Sequence, residues 1–184
     1  EMQHNHEDWM NWAIKNRINS KVVGYVGNAP AELFKHVGGS ASRGFATPRS
    51  WSFVSNIVDQ YERDPNSVSP IVLSAAICGS VGDASGLTFI EFMKIAENMP
   101  NPKEILDGKV TEMKADKQNM VALSYHVTTQ LLYLLTEDNQ ALVEKGNHGK
   151  TNADSKDPER AAWEKRLNNW LTFSMKNFRP EIAV

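Results

Sequence analysis

Apolar positions recur at helical spacing along almost the whole chain, and after residue 4 none alternate over a strand's length. The clearest case runs from Pro48 to Arg63. Trp51, Val54, Ile57, Val58 and Tyr61 share one face of a helical wheel, while Arg49, Ser52, Asn56 and Gln60 fall opposite. Thr47 precedes it as a cap whose hydroxyl accepts from a first-turn N–H. Pro48 takes the first helical position, where its missing N–H costs nothing and its φ is already helical. Arg49 then points outward from the first turn. Read locally it is a solvated surface arginine, or a preplaced guanidinium for an anion such as phosphate.

The same periodicity predicts further helices. Asn5 to Asn19 opens on an Asn cap with Asp8 three residues on, and Trp9, Trp12, Ala13 and Asn16 follow helical spacing. Short helices are expected at Lys21–Gly27 and Pro30–Val37, then a flexible loop from Gly38 to Gly44. Pro70 starts an apolar helix that stops at Gly79, with a tight connection at Ser80–Asp83. Ala84–Asn98 is apolar on more than one face, Lys103–Leu106 is short, and Gly108–Lys114 is a connector. Asp116–Leu135 carries Met120, Leu123, Val127, Leu131, Leu134 and Leu135 on one face. A last helix, Pro158–Phe178, is expected to bury Trp163, Leu167, Trp170, Leu171 and Phe178. Residues 144–157 have almost nothing to bury and read as a mobile loop. Glu1–His4 is a weak strand remnant. The fold class is all-α, divided into residues 1–107 and a C-terminal helical extension, 108–184.

Composition narrows the classes. With 184 residues the chain can bury a real core, and 41% hydrophobic and 23% charged residues are ordinary for a globular protein. Lys+Arg 20 against Asp+Glu 22 gives a net charge of -2. That balance disfavours a dedicated nucleic-acid or membrane-surface binder. A helix-turn-helix reading, with Arg49, Ser52, Asn56 and Gln60 facing a groove, is disfavoured on the same ground. No apolar run approaches the roughly 20 residues of a membrane helix, and none reads as a signal peptide. The single cysteine, Cys78, sits in an apolar run; it is expected to be a small buried hydrophobe in a reducing compartment.

Candidate chemistry within the chain is sparse. There is no GxxxxGK followed by Ser or Thr, no GxGxxG and no HExxH. His4 and His6 with Glu7 and Asp8 suggest a metal site but no third ligand. His126 is expected to be a satisfied, partly buried histidine, and His36 and His148 have no acid or nucleophile at useful spacing. Ser50, Ser52 and Ser55 lack a nucleophile elbow, and the pairs Glu7/Asp8 and Glu137/Asp138 read as solvated. No metal is expected.

Three stretches in order carry a resemblance: Asp8–Ala13, then Ala46–Ser55 (Ala-Thr-Pro-Arg-Ser-Trp-Ser-Phe-Val-Ser), then Ile77–Ala84 running into Phe89–Phe92. Together they resemble the C-terminal half of MoxR-type AAA+ ATPases, in the phage and bacterial ATP-binding branch. The likeness covers most of residues 1–107 and, more weakly, Arg179–Val184. In that family an α/β core bears Walker A, Walker B, sensor 1 and the arginine finger, and a helical lid supplies sensor 2 from a Pro-Arg helix start.

Carried over, Glu1–His4 would be the tail of the last strand of the ATPase core, Asn5 onward the lid, and Arg49 sensor 2. Arg49, with Pro48 and Thr47 setting its turn, is the expected contact to ATP, which is bound with Mg2+ mainly by the ATPase core. The resemblance implies the core domain of the same protein as partner, a homo-oligomeric ring (hexamer) and a remodelled protein substrate; the apolar runs and the charge balance add the expectation of no membrane and disfavour nucleic acid. It also implies a cytoplasmic location in a bacterial cell or phage-infected host. Trp9, Trp12, Trp51 and Phe53 would form the lid core and hold Arg49. The start at Glu1 and the apolar finish at Ile182–Val184 read as cuts from a longer protein. Lacking Walker A and Walker B, these residues alone should not hydrolyse ATP. The alternative is a free-standing helical interaction or adaptor module without catalytic activity, with a groove between Phe89–Met99 and Asp116–Leu135.

Overall fold

A computed structural model describes residues 5–35, 44–113, 120–144 and 158–178. Those residues are helical apart from connections and a single antiparallel bridge between Lys35 and Ala46, so the chain is all-α. Contacts divide it into two compact units, Glu1–Asn98 and Met99–Val184. The division falls before the helix at 102–106, which the sequence reading had grouped with the first half. The expected strand at Glu1–His4, the Gly38–Gly44 loop up to residue 43 and the 145–157 segment lie outside the described residues.

In the first unit, helix α1 (His6–Lys15) starts where Asn5 accepts from the backbone N–H groups of Glu7 at 3.0 Å and Asp8 at 3.4 Å. The expected helix to Asn19 stops short. Arg17 turns left-handed at φ 57, and Asn19 instead caps α2 (Ser20–Asn28) by accepting from Lys21 N–H at 2.9 Å. Asn19 is committed elsewhere too. Its own N–H donates to Ser55 Oγ at 2.8 Å, and its amide donates to Asp59 and Glu62 at 2.7 and 2.9 Å. An interior helical residue would have no backbone N–H left for Ser55.

The helix expected at Pro30–Val37 is reduced to one 3-10 turn, Pro30–Glu32, followed by the bridge in which Lys35 N–H donates to Ala46 O at 3.0 Å. The Glu32 carbonyl that would continue a helix accepts from Trp51 Nε1 at 2.7 Å. Helix α3 (Pro48–Arg63) has the predicted bounds and buries Trp51, Val54, Ser55 and Val58. Helix α4 (Pro70–Val81) runs past Gly79. The terminator is Gly82, whose φ of 88 suits glycine alone, and it leads at once into α5 (Asp83–Ala96).

Trp51 is fully buried. Its ring centroid lies 5.5 Å from Tyr25 and 5.4 Å from Phe89, and Tyr25 is 5.9 Å from Phe92. Tyr25 Oη is hydrogen-bonded to Thr88 Oγ1 at 2.6 Å, which ties α2 to α5 at the polar end of the cluster. The α4–α5 contact is closest at Gly86, where an added Cβ would lie 2.7 Å from Cys78 Sγ and 2.8 Å from Cys78 Cα. Cys78 is half-buried rather than buried.

The second unit contains α6 (Pro102–Leu106), α7 (Met120–Glu144) and α8 (Pro158–Asn177). Helix α7 continues past the expected end at Leu135, while its expected start at Asp116 lies outside the described residues. Ile105, Leu106, Leu123, Val127 and Leu131 are fully buried. On α8 the buried residues are Phe173 and Ser174, whereas Leu171, expected in the core, is 43% exposed. The helix is fastened mainly by polar side chains. Trp163 Nε1 donates to Leu135 O at 3.1 Å, Arg166 pairs with Asp138, and the Asn169 amide donates to Leu106 O at 2.7 Å. Asn177 accepts from Met113 N–H at 2.7 Å and donates to Thr111 O at 3.0 Å. Asp138, expected to be solvated, is thus a structural ion-pair partner.

Gly86→Ala must push α4 away from α5, since a backbone atom blocks the methyl. A loss of about 1–3 kcal/mol in urea denaturation is expected; an unchanged midpoint would show that the two helices do not meet so closely. Burial pushes the Tyr25 phenol up from 10.0 to about 12, against the lowering effect of the Thr88 hydrogen bond. Its stabilising contribution is therefore complete below pH 10 and is lost as pH rises through about 12. Tyr25→Phe is expected to flatten the stability–pH curve across that window, which alkaline thermal melts measure directly.

Candidate functional site

The start of α3 is built by a reciprocal cap. Thr47 Oγ1 accepts from Ser50 N–H at 3.0 Å, and Ser50 Oγ accepts from Thr47 N–H at 2.8 Å. A capping box ordinarily uses Glu or Gln at the third position; here a serine does the work, and its short side chain leaves the surface beside Arg49 without a carboxylate. Ser50 is itself buried and lies within 3.1 Å of Phe45 O. Pro48 supplies no N–H and fixes the first turn. Thr47 and Pro48 therefore set the turn, with the Thr47 hydroxyl engaged inside it.

Arg49 is exposed at the second helical position. Its guanidinium carbon lies 5.7 Å from the centre of the Phe53 ring, one turn on. No ion pair joins it to a carboxylate among the described residues. A cation in a first turn faces the positive end of the helix, so nothing in the helix itself favours the charge there. An incoming anion would meet both that positive end and a forked donor. The opposite side of α3 is anchored, since Trp51 is 0% exposed, and Trp9 on α1 is buried at 7%. Trp12 and Phe53, expected in the same core, are 44% and 50% exposed. In Phe53 the helical wheel carries the reason: position 53 lies beside Arg49 and Gln60, at the edge of the polar side.

The remaining candidates resolve into structural roles. His6 Nε2 is 3.0 Å from Val26 O, His4 lies outside the described residues, and no group of three or more His, Cys, Asp or Glu that could hold a metal occurs among the described residues. His126, expected to be partly buried, is almost fully buried in α7 at 2% exposure. Ser52 donates back to Pro48 O at 3.2 Å, and Ser55 accepts from Asn19.

Two features escaped the sequence. Glu32 is a node: one carboxylate oxygen accepts from Ser85 Oγ at 2.6 Å, and the other pairs with Lys35 at 2.6 Å. No local pattern announces it, because its partners are distant in sequence. The second is an open groove of about 300 Å³ between α3 and α4, lined by Ile57, Tyr61, Val68, Val72 and Leu73. Ile57 and Tyr61 belong to the predicted apolar face, but they are half-buried and border this groove. The groove has no carboxylate, amine or imidazole and offers shape without chemistry.

Removing the cap hydroxyl in Thr47→Ala is expected to cost about 0.5–2 kcal/mol of unit stability, read by thermal denaturation. Thr47→Ser should recover most of it; a Thr47→Ala melt identical to the unaltered protein would show that the cap does not hold the turn.

No family model, curated protein or solved structure matches the chain, and what Arg49 does is carried by its place on α3 and its chemistry.

Proposed function

We propose that the chain is the helical lid and C-terminal region of a MoxR-type AAA+ ATPase, in which Arg49 is sensor 2. The observation that carries the reading is an exposed guanidinium in the first turn of a capped helix, with no acidic partner among the described residues. ATP and Mg2+ would be held by the ATPase core of the same protein, which supplies Walker A and Walker B. In phosphoryl transfer the protein mainly positions groups and neutralises charge on the transferring phosphoryl oxygens. Arg49 is equipped for that, with five N–H donors and a charge that persists at any working pH.

The rigidity of α3 supplies the coupling. Trp51, two residues after Arg49, is locked by its indole hydrogen bond to Glu32 and by the Tyr25 and Phe89 rings. A shift of Arg49 toward the γ-phosphate would therefore carry α3 and its packed neighbours with it. In a homo-oligomeric ring such a rotation becomes work on a protein substrate. The setting would be the cytoplasm of a bacterial cell or phage-infected host. No helix among the described residues is long and apolar enough to cross a membrane.

A free-standing interaction module is the second reading. The apolar α3–α4 groove favours it, together with Val72 in its lining, which is 54% exposed. The groove first expected along Phe89–Met99 is not available for it, since Phe89, Phe92 and Met93 fill the first unit's own core.

Arg49→Ala in the full-length gene product is expected to lower ATPase turnover by about tenfold or more, with the melting temperature unchanged because the side chain is exposed. The reading frame upstream of Glu1 should also encode a P-loop and a Walker B acidic pair. Unaltered turnover in the variant would overturn the sensor 2 assignment.

A further inference from the structure

Phe53 is an anomaly on α3. It lies at the edge of the polar side of the helix with half its surface open to water, whereas Trp51, Val54, Ser55 and Val58 of the same helix are buried. The ring contact it makes among the described residues is with Arg49, 5.7 Å from guanidinium carbon to ring centre. Helical side chains lean toward the N-terminus, so a ring at position 53 comes back over the turn that holds position 49. The contact is thus a product of the four-residue spacing and the helix direction together.

We propose that Phe53 is a positioning residue for Arg49: its ring holds the guanidinium against α3 while leaving the N–H donors unspent. This rests on the sensor 2 reading of Arg49 and adds to it how the group is kept ready. Several groups could steady an arginine at this site, and they differ in what they consume. A carboxylate at position 53 would bind the fork itself, and a phosphate would have to displace it. An aromatic ring attracts the cation through its face and takes none of the five donors. The ring also partly dries the guanidinium before an anion arrives, which strengthens the eventual ion pair. A long flexible side chain would otherwise surrender its rotamer freedom on meeting the nucleotide. Phe53 lowers that loss because the side chain is already restrained by the ring.

Arg49 and Phe53 should therefore act as one unit. Steady-state ATPase kinetics of the full-length protein test this with Phe53→Leu, Phe53→Trp, Arg49→Ala and the double variant Arg49→Ala/Phe53→Leu. Leucine keeps an apolar group but removes the ring face. F53L is expected to lower kcat/KM for ATP about three- to fivefold, with an unchanged melting temperature, and F53W is expected to retain it. In the Arg49→Ala background F53L should have no further effect, because the group it positions is gone. An F53L enzyme with unaltered kcat/KM, or an F53L loss of the same size in the Arg49→Ala background, would overturn the positioning role while leaving sensor 2 standing. An Arg49→Ala enzyme with full activity would overturn both.

Discussion

The first unit depends on the burial of Trp51. Its indole is removed from water entirely, yet its one polar atom is satisfied by the Glu32 carbonyl at 2.7 Å. That single bond has two consequences. It ties α3 to the 3-10 turn at Pro30–Glu32, beyond which the chain pairs Lys35 with Ala46 just ahead of the α3 cap. It also fixes the rotation of α3 about its axis, with Tyr25 and Phe89 closing on the ring at 5.5 and 5.4 Å. Large aromatic residues buried in this way are each worth about 3–5 kcal/mol against truncation. The helix cannot roll without losing that burial. Arg49 faces solvent because Trp51 does not.

The second unit is held by a different economy. Its fully buried apolar residues are concentrated on α6 and α7, whereas on α8 only Phe173 is buried among the apolar residues, with Trp163, Leu167 and Trp170 half-buried. Helix α8 instead reaches across with side-chain amides. Asn169 closes the last turn of α6 by donating to Leu106 O, and Asn177 holds the chain at Thr111 and Met113 from both its nitrogen and its oxygen. Hydrogen bonds of this kind contribute about 1 kcal/mol each, and leaving the carbonyl of the buried Leu106 unmet would cost more.

Most of the helices were legible because helical periodicity and caps are local. Pro48–Arg63 emerged with its bounds intact, since Thr47, Pro48 and the Trp51 face all point to the same start. Where the sequence misled, distant partners had intervened. Asn19 looked like the end of one helix and is the cap of the next, because Ser55, Asp59 and Glu62 draw on its donors. Gly79 looked like a stop and lies within α4, open to solvent, while Gly82 takes the left-handed turn. Leu171 fits the apolar spacing of α8 but faces outward, since α8 turns Phe173 and its asparagines inward. At the candidate site, the outward Arg49 and its cap are readable from the sequence, but the Phe53 contact is not, because an aromatic residue beside Trp51 reads as core.

On the proposed reading, Arg49 recognises the phosphate that distinguishes ATP from ADP. The most direct measurement is the ratio of ADP to ATP dissociation constants for the full-length protein and for its Arg49→Ala variant, taken at equal Mg2+ and salt. An arginine that meets the γ-phosphate contributes only to ATP, so the variant should lose ATP affinity, keep ADP affinity, and show a smaller ratio. An unchanged ratio, with both affinities retained or both reduced together, would contradict the account.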